Sequence, residues 1–231
     1  MTGARSNAGG LTRAELAGCI DHTFLKAAGD RDAVTRLCRE AKRWAFASVC
    51  VNPSEVPLAA RLLKRSAVKV CTVIGFPLGA ATTAAKCFEA REALEAGADE
   101  LDFVINVRLL KYGPAACAAE LGRLVAESRA VRPDAVLKLI IECCDLTDDE
   151  KIRACRLAKA AGFDFVKTST GFGKGGATVA DVRLMRRTVG RKMGVKAAGG
   201  IRTLADARAL LKAGATRLGC SAGVDIVKEV P

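Results

Sequence analysis

The chain has 231 residues, of which 50% are hydrophobic and 27% charged, with 37 Lys and Arg against 25 Asp and Glu for a net charge of +12. That apolar fraction is enough to bury a sizeable core and excludes intrinsic disorder, while a length within the roughly 200 to 250 residues of one large α/β barrel favours a single domain over two. The opening MTGARSNAGGLTR has no apolar core of a secretion signal and no apolar run reaches the roughly 18 residues of a membrane span.

A soluble cytoplasmic protein with no membrane partner is therefore expected, one domain over 1–231 whose first ten residues form a flexible segment. A short helix is predicted near 11–18. After it, β-like apolar runs alternate with Ala/Leu/Arg/Glu-rich stretches whose apolar residues recur at helical spacing. Strands are placed at 19–24 (CIDHTF), 47–52 (ASVCVN), 68–74 (VKVCTVI), 100–106 (ELDFVIN), 136–142 (VLKLIIE), 163–169 (FDFVKTS), 194–199 (GVKAAG) and 216–221 (TRLGCS). Eight strands, each followed by a helix and none paired as a hairpin, predict a parallel sheet.

An internal repeat sharpens this. Ala96-Gly97-Ala98-Asp99, Ala161-Gly162-Phe163-Asp164 and Ala213-Gly214-Ala215-Thr216 each close a helix on a glycine and turn straight into a strand. Five residues beyond the glycine lie Asp102, Lys167 and Gly219, which a common register would put at one height and on one face. Eight such units in one domain, without a G-x-G-x-x-G after the first strand, predict a (β/α)8 TIM barrel with a short N-terminal helix and its chemistry at the carboxyl ends of the strands.

Ten cysteines are scattered, several in apolar runs, with no C-x-x-C, and His22 is the single histidine. They read as reduced, small hydrophobes and leave poor material for a metal site, so no metal is expected. The adjacent Cys143 and Cys144 keep a redox-sensitive pair open. The basic stretch Arg183 to Lys192 reads as a solvated helix face, with attraction of anionic small molecules as a functional alternative. One Trp and one Tyr offer few stacking residues, so no nucleic-acid partner is expected.

Charged residues inside apolar strands are the anomaly: Asp102, Lys138, Lys167 and Lys196. One such lysine can be an ordinary ion-pair partner, and all of them together can be a structural salt-bridge network. The set also suits Schiff-base catalysis, in which an uncharged amine attacks a carbonyl and the iminium draws electrons. A free lysine titrates near 10.4, so it becomes a nucleophile at neutral pH only through desolvation or a neighbouring cation. Lys196 beside Lys167 would supply that cation, and Asp102 could move protons. Gly199-Gly200 follows the seventh strand, Gly219 and Ser221 belong to the eighth, and Gly171 lies in the loop after the sixth. Barrels often bind phosphate at these loops, although tight turns also use paired glycines. The hydroxyls of Thr168, Ser169 and Thr170 are candidates to orient substrate oxygens, and Asp21, His22 and Thr23 are candidates to face the same mouth.

In these residues the chain resembles the deoxyribose-phosphate aldolases, a family of class I barrel aldolases. The matching segments are IDHTFL, VCVNP, VIGFPLGA, ADELDFVINV, LKLIIE, FVKTSTGFGKGGAT, VKAAGGIRT and RLGCSAG, in order from residue 20 to 223. The resemblance implies that Lys167 forms the Schiff base, that Lys196 lowers its pKa and assists proton transfer, and that Asp102 is the general acid/base. It also implies that Gly171, Gly199, Gly200, Gly219 and Ser221 surround a phosphate, and that Lys138 belongs to an inner polar network. The implied reaction is reversible cleavage of 2-deoxy-D-ribose 5-phosphate to D-glyceraldehyde 3-phosphate and acetaldehyde, without metal or organic cofactor.

Three features depart from the family pattern, one of them a short eighth helix that bears on barrel closure or an oligomer contact there. Some members carry a longer tail ending in a tyrosine that aids proton transfer, whereas this chain stops at Pro231 and its one tyrosine is Tyr112. Proton exchange is then expected to use water or other groups. Cys143-Cys144-Asp145 also differs in the fifth loop. A homo-oligomer, dimer or tetramer, is expected. The alternatives are another Schiff-base or transaldolase-like barrel acting on a different sugar phosphate, a pyridoxal-phosphate barrel, and a non-catalytic basic protein that binds polyanions.

Overall fold

A computed structural model describes residues 11–231, so the segment expected to be flexible at 1–10 lies outside the described residues. A short helix α1 (Arg13–Ala17) leads into β1 (Ile20–Phe24), α2 (Ala33–Trp44), β2 (Ser48–Val51), α3 (Val56–Leu63), β3 (Lys69–Ile74) and α4 (Thr83–Glu95). Next come β4 (Glu100–Val104), α5 (Val107–Tyr112), α6 (Pro114–Val131), β5 (Val136–Ile140), α7 (Asp148–Ala161), β6 (Phe165–Lys167) and α8 (Val179–Val189). The chain ends with β7 (Gly194–Ala198), α9 (Leu204–Ala213), β8 (Arg217–Cys220) and α10 (Gly223–Lys228). All eight expected strands are present, each within two residues of its predicted ends. They pair in parallel in sequence order, and β8 returns to β1 to close a (β/α)8 TIM barrel, although α10 is only six residues long.

Local signals account for the elements. The strands are buried on both faces because each is covered by side chains inside and helices outside. In α2, Val34, Leu37, Cys38 and Ala41 recur at helical spacing and are buried against the barrel. Thr147 and Thr203 open α7 and α9 with capping boxes closed by Glu150 and Asp206. Gly162 and Gly214 then end the same helices with φ of 93° and 115°, a conformation that a Cβ penalises, and turn the chain straight into β6 and β8. These are the glycines of the sequence repeat.

The register fixes the barrel's interior. Asp102 pairs with Lys138, which pairs with Phe165, so Lys167 lies two residues further along β6. The same two-residue offset recurs from Lys167 through Lys196 to Gly219, from Gly219 through Asp21 to Cys50, and from Cys50 through Cys71 back to Asp102. Four offsets of two give the shear of about eight that an eight-stranded barrel of this kind needs. Cys50, Asp102, Lys167 and Gly219 therefore form one layer, contributed by the even strands. Asp21, Cys71, Lys138 and Lys196 form the layer below it, and Ser48, Glu100, Phe165 and Arg217 the layer below that. The equal height predicted for Asp102, Lys167 and Gly219 is what the register produces.

Candidate active site

The upper two of these layers bring the predicted charged residues to one carboxylate. Lys167 Nζ lies 2.8 Å and Lys196 Nζ 2.7 Å from Asp102 Oδ2, while Lys138 Nζ lies 2.7 Å from Asp102 Oδ1. Lys196 also contacts Asp21 Oδ2 at 2.5 Å, and Lys138 contacts Glu100 Oε2 at 2.7 Å. Below them, Arg217 binds Asp21 Oδ1 at 2.6 Å and reaches Glu100. The Cys71 thiol adds a hydrogen bond to Asp102 Oδ1 at 3.3 Å. Asp102, Lys138 and Lys196 are wholly buried.

Burial opposes the charge on Asp102, yet the ammonium groups of Lys138, Lys167 and Lys196 outweigh it and hold the carboxyl well below the usual range. Asp21 is treated the same way: burial works against its charge, and Lys196 and Arg217 overcome it. Lys196 and Lys138 move upward, because Asp102 with Asp21 or Glu100 exceeds the desolvation that would strip their protons. Both are therefore standing cations at neutral pH. With Arg217 and Lys167 included, four basic groups meet the three carboxylates Asp21, Glu100 and Asp102 in this interior.

Above Lys167 opens a cavity of about 330 Å³. Of the predicted residues, Lys167, Thr23, Thr170, Gly171, Gly199, Gly200, Gly219 and Ser221 line it. Asp102, Lys138, Lys196 and Asp21 do not; Asp102 stands beside Lys167 in its own layer and the other three lie one layer deeper. Two of the glycines are dictated by close approach. At Gly199 a Cβ would stand 2.9 Å from Gly176 Cα, where the sixth and seventh loops touch, and at Gly219 it would stand 3.0 Å from Lys196 Cε. Gly219 thus makes room for Lys196 as well as walling the cavity.

Other expectations are corrected. His22 does not face the mouth: alternation along β1 turns it outward, where Nε2 meets Glu40 at 2.7 Å. The hydroxyls of the sixth loop are already committed. Thr168 Oγ1 donates to Ala198 O and accepts from Ala198 N, Ser169 donates to Thr168, and Thr170 donates to Glu142 at 2.5 Å. These bonds stitch the sixth loop to its neighbours, and Thr170 also lines the cavity. Cys143 and Cys144 are both free thiols, the first buried beside Met185 and the second exposed. Sequence reasoning missed Lys26, Phe172 and Arg202 in the cavity wall and the buried Glu142. The signal for Arg202 was its place two residues after the glycine pair. The thiols of Cys50 and Cys71 converge on Asp102, but that carboxylate is occupied by ammonium groups.

A closed parallel barrel with buried lysines around one carboxylate, under a glycine-walled cavity at the carboxyl ends of its strands, defines the barrel enzymes that hold small anionic substrates at that face. A model of the DeoC/LacD family aldolases matches residues 16–229. A deoxyribose-phosphate aldolase of Carboxydothermus hydrogenoformans is 56% identical over 219 residues, covering 94% of this chain and 96% of that one. One from Clostridium perfringens strain SM101 is 54% identical over 216 residues, again 94% and 96%. The tetrameric deoxyribose phosphate aldolase of Aeropyrum pernix superposes with a TM-score of 0.88 at 35% identity, covering 94% of this chain and 91% of that one. The chain belongs to the DeoC/LacD aldolase family.

Proposed function

We propose that the chain is a class I aldolase, a lyase that reversibly cleaves 2-deoxy-D-ribose 5-phosphate to D-glyceraldehyde 3-phosphate and acetaldehyde, with Lys167 as the Schiff-base residue. The observation that carries this is the place of Lys167 between the buried charge network and the cavity. Four basic groups face three carboxylates, Lys138 and Lys196 are held as cations, and Lys167 is the one lysine of the set that lines the cavity.

In this scheme Lys167 Nζ attacks C1 of the open-chain sugar. Asp102, held as an anion, takes the proton lost by the amine and returns it to the departing hydroxyl, directly or through water, so that iminium and water form. The positive charge that develops at Nζ appears 2.8 Å from Asp102 Oδ2, a preorganised countercharge. Asp102, directly or through water, takes the C3 hydroxyl proton as C2–C3 breaks. The electron pair of that bond moves into the iminium to leave an enamine and D-glyceraldehyde 3-phosphate, and the same proton is then available to the enamine. Protonation of the enamine and hydrolysis release acetaldehyde and restore the amine. Lys196, on the same carboxylate oxygen as Lys167, keeps the neighbouring site positive and supports proton transfer. The iminium is the electron sink, so the scheme requires neither metal nor organic cofactor.

Backbone N–H groups around Gly171, Gly199, Gly200, Gly219 and Ser221 are assigned to the substrate phosphate, with the Lys26 and Arg202 charges in the same wall. Lys138, Asp21 and Thr23 are supporting residues. A homo-oligomer in the cytoplasm is the setting we infer; the Aeropyrum pernix relative is a tetramer, and among the described residues no helix is long and apolar enough to cross a membrane. The test is substrate competition: the purified chain should release acetaldehyde from deoxyribose 5-phosphate in preference to other sugar phosphates. Preferred cleavage of another sugar phosphate would move it to a different Schiff-base aldolase activity.

A further inference from the structure

Glu142 is a buried carboxylate outside the lysine network, in a backbone conformation that non-glycine residues avoid, with φ 53° and ψ 70°. It stands just past β5, where Ile141 N bonds Lys167 O and Cys143 N bonds Thr168 O, so the kink falls between two links to the Lys167 segment. The kink aims the side chain at the sixth loop. Thr170 Oγ1 donates to Glu142 Oε2 at 2.5 Å, and Thr170 N–H points at both carboxylate oxygens at 3.3 and 3.4 Å. Thr170 Oγ1 in turn accepts from Phe172 N at 3.0 Å. Further along the same loop, Ala177 N donates to Gly199 O at 3.0 Å. No ion pair engages Glu142 among the described residues, so its carboxylate works as a hydrogen-bond acceptor for the loop.

We propose that Glu142 is a positioning residue for phosphate recognition: it locks the sixth loop through Thr170 so that Gly171 and the neighbouring Gly199 face the substrate phosphate. The proposal rests on the aldolase reading for its substrate but not for its geometry. Glu142→Ala should raise KM for deoxyribose 5-phosphate about tenfold, lower kcat less than about threefold, and leave kcat/KM for unphosphorylated deoxyribose within about twofold. Glu142→Gln keeps an acceptor oxygen for Thr170 and should stay within about threefold of the parent KM. Thr170→Val should match Glu142→Ala, and the double variant should add little to either.

Calorimetry with inorganic phosphate gives a readout independent of turnover, and Glu142→Ala should weaken that Kd about tenfold as well. If Glu142→Ala fails to fold, Glu142→Gln and Thr170→Val carry the comparison. An unchanged phosphate Kd would overturn the proposal, as would equal losses on both sugars. A Glu142→Gly variant indistinguishable from the parent would overturn it too, because backbone shape alone would then suffice. Should the parent not cleave deoxyribose 5-phosphate at all, the aldolase reading fails while the phosphate Kd still decides the role of Glu142.

Discussion

The role of a buried side chain depends on its neighbours more than on its own chemistry, and Lys167 and Lys196 illustrate the difference. Both touch Asp102 Oδ2, but Lys196 has Asp21 as a second anion and Lys167 has the cavity. Lys167→Leu should therefore abolish turnover, by more than about a thousandfold in kcat, while leaving the thermal midpoint unchanged or higher. Lys196→Leu leaves Asp21 and Asp102 short of a partner and should cost about 3 to 5 kcal/mol in urea unfolding, because an unbalanced buried charge is left behind. A thermal midpoint that falls as far in the first variant as in the second would contradict that difference. The same network sets a pH dependence. Asp102 and Asp21 lie below their unfolded values, near 3.9, so the stability they give is fully present above about pH 4. It is lost as the pH falls through the lower folded values, because the unfolded chain then binds more protons. Urea unfolding from pH 6 to pH 2 should show stability falling below pH 4, with a shallower slope in Asp102→Asn.

At the scale of elements, the strands and the glycine-capped helix ends were legible because their signals are local: apolar runs, and the Gly97, Gly162 and Gly214 turns. Asp102, Lys138, Lys167 and Lys196 were legible for a related reason, since a charge within an apolar strand is conspicuous. Glu142 was not, because a glutamate at the end of a strand reads as a solvated charge and only the left-handed kink turns it inward. The Lys86–Glu120 pair between α4 and α6 was hidden in the same way: both residues sit in helices rich in exposed charge, yet they meet at 2.9 Å and are almost wholly buried. The cysteines give this scale its prediction. Burial pushes the thiols of Cys38 and Cys117 up to about 11, and those of Cys155 and Cys220 up to about 12. Cys144, in the loop after β5, is exposed. Thiol titration of the native protein at pH 8 should show one fast group, absent in Cys144→Ser, with these four thiols reacting only on unfolding. Fast modification of several thiols in the native state would contradict the packing.

For the whole molecule, the parallel barrel converts a sequence period into a site, since the shear of eight carries Asp102, Lys167 and Gly219 from three repeats into one layer. Which residues reach across that layer could not be read from sequence, because the contacts of Asp102 with three lysines depend on the closed register. The excess of basic residues, a net charge of +12, acts over distances longer than any contact. It should draw a phosphorylated substrate to the mouth, and kcat/KM for deoxyribose 5-phosphate should fall several-fold as ionic strength rises from about 0.02 to 0.3 M, while the value for unphosphorylated deoxyribose stays flat. Equal salt responses for both sugars would confine the effect of charge to stability.

The central claim is the covalent bond at Lys167, and trapping tests it most directly. The protein is mixed with acetaldehyde or deoxyribose 5-phosphate, reduced with borohydride, and digested for peptide mass spectrometry. The expected result is an ethyl group on Lys167, absent without reductant and absent from Lys138 and Lys196. A folded protein that releases acetaldehyde yet carries no adduct on Lys167, or carries it on another lysine, would contradict the assignment.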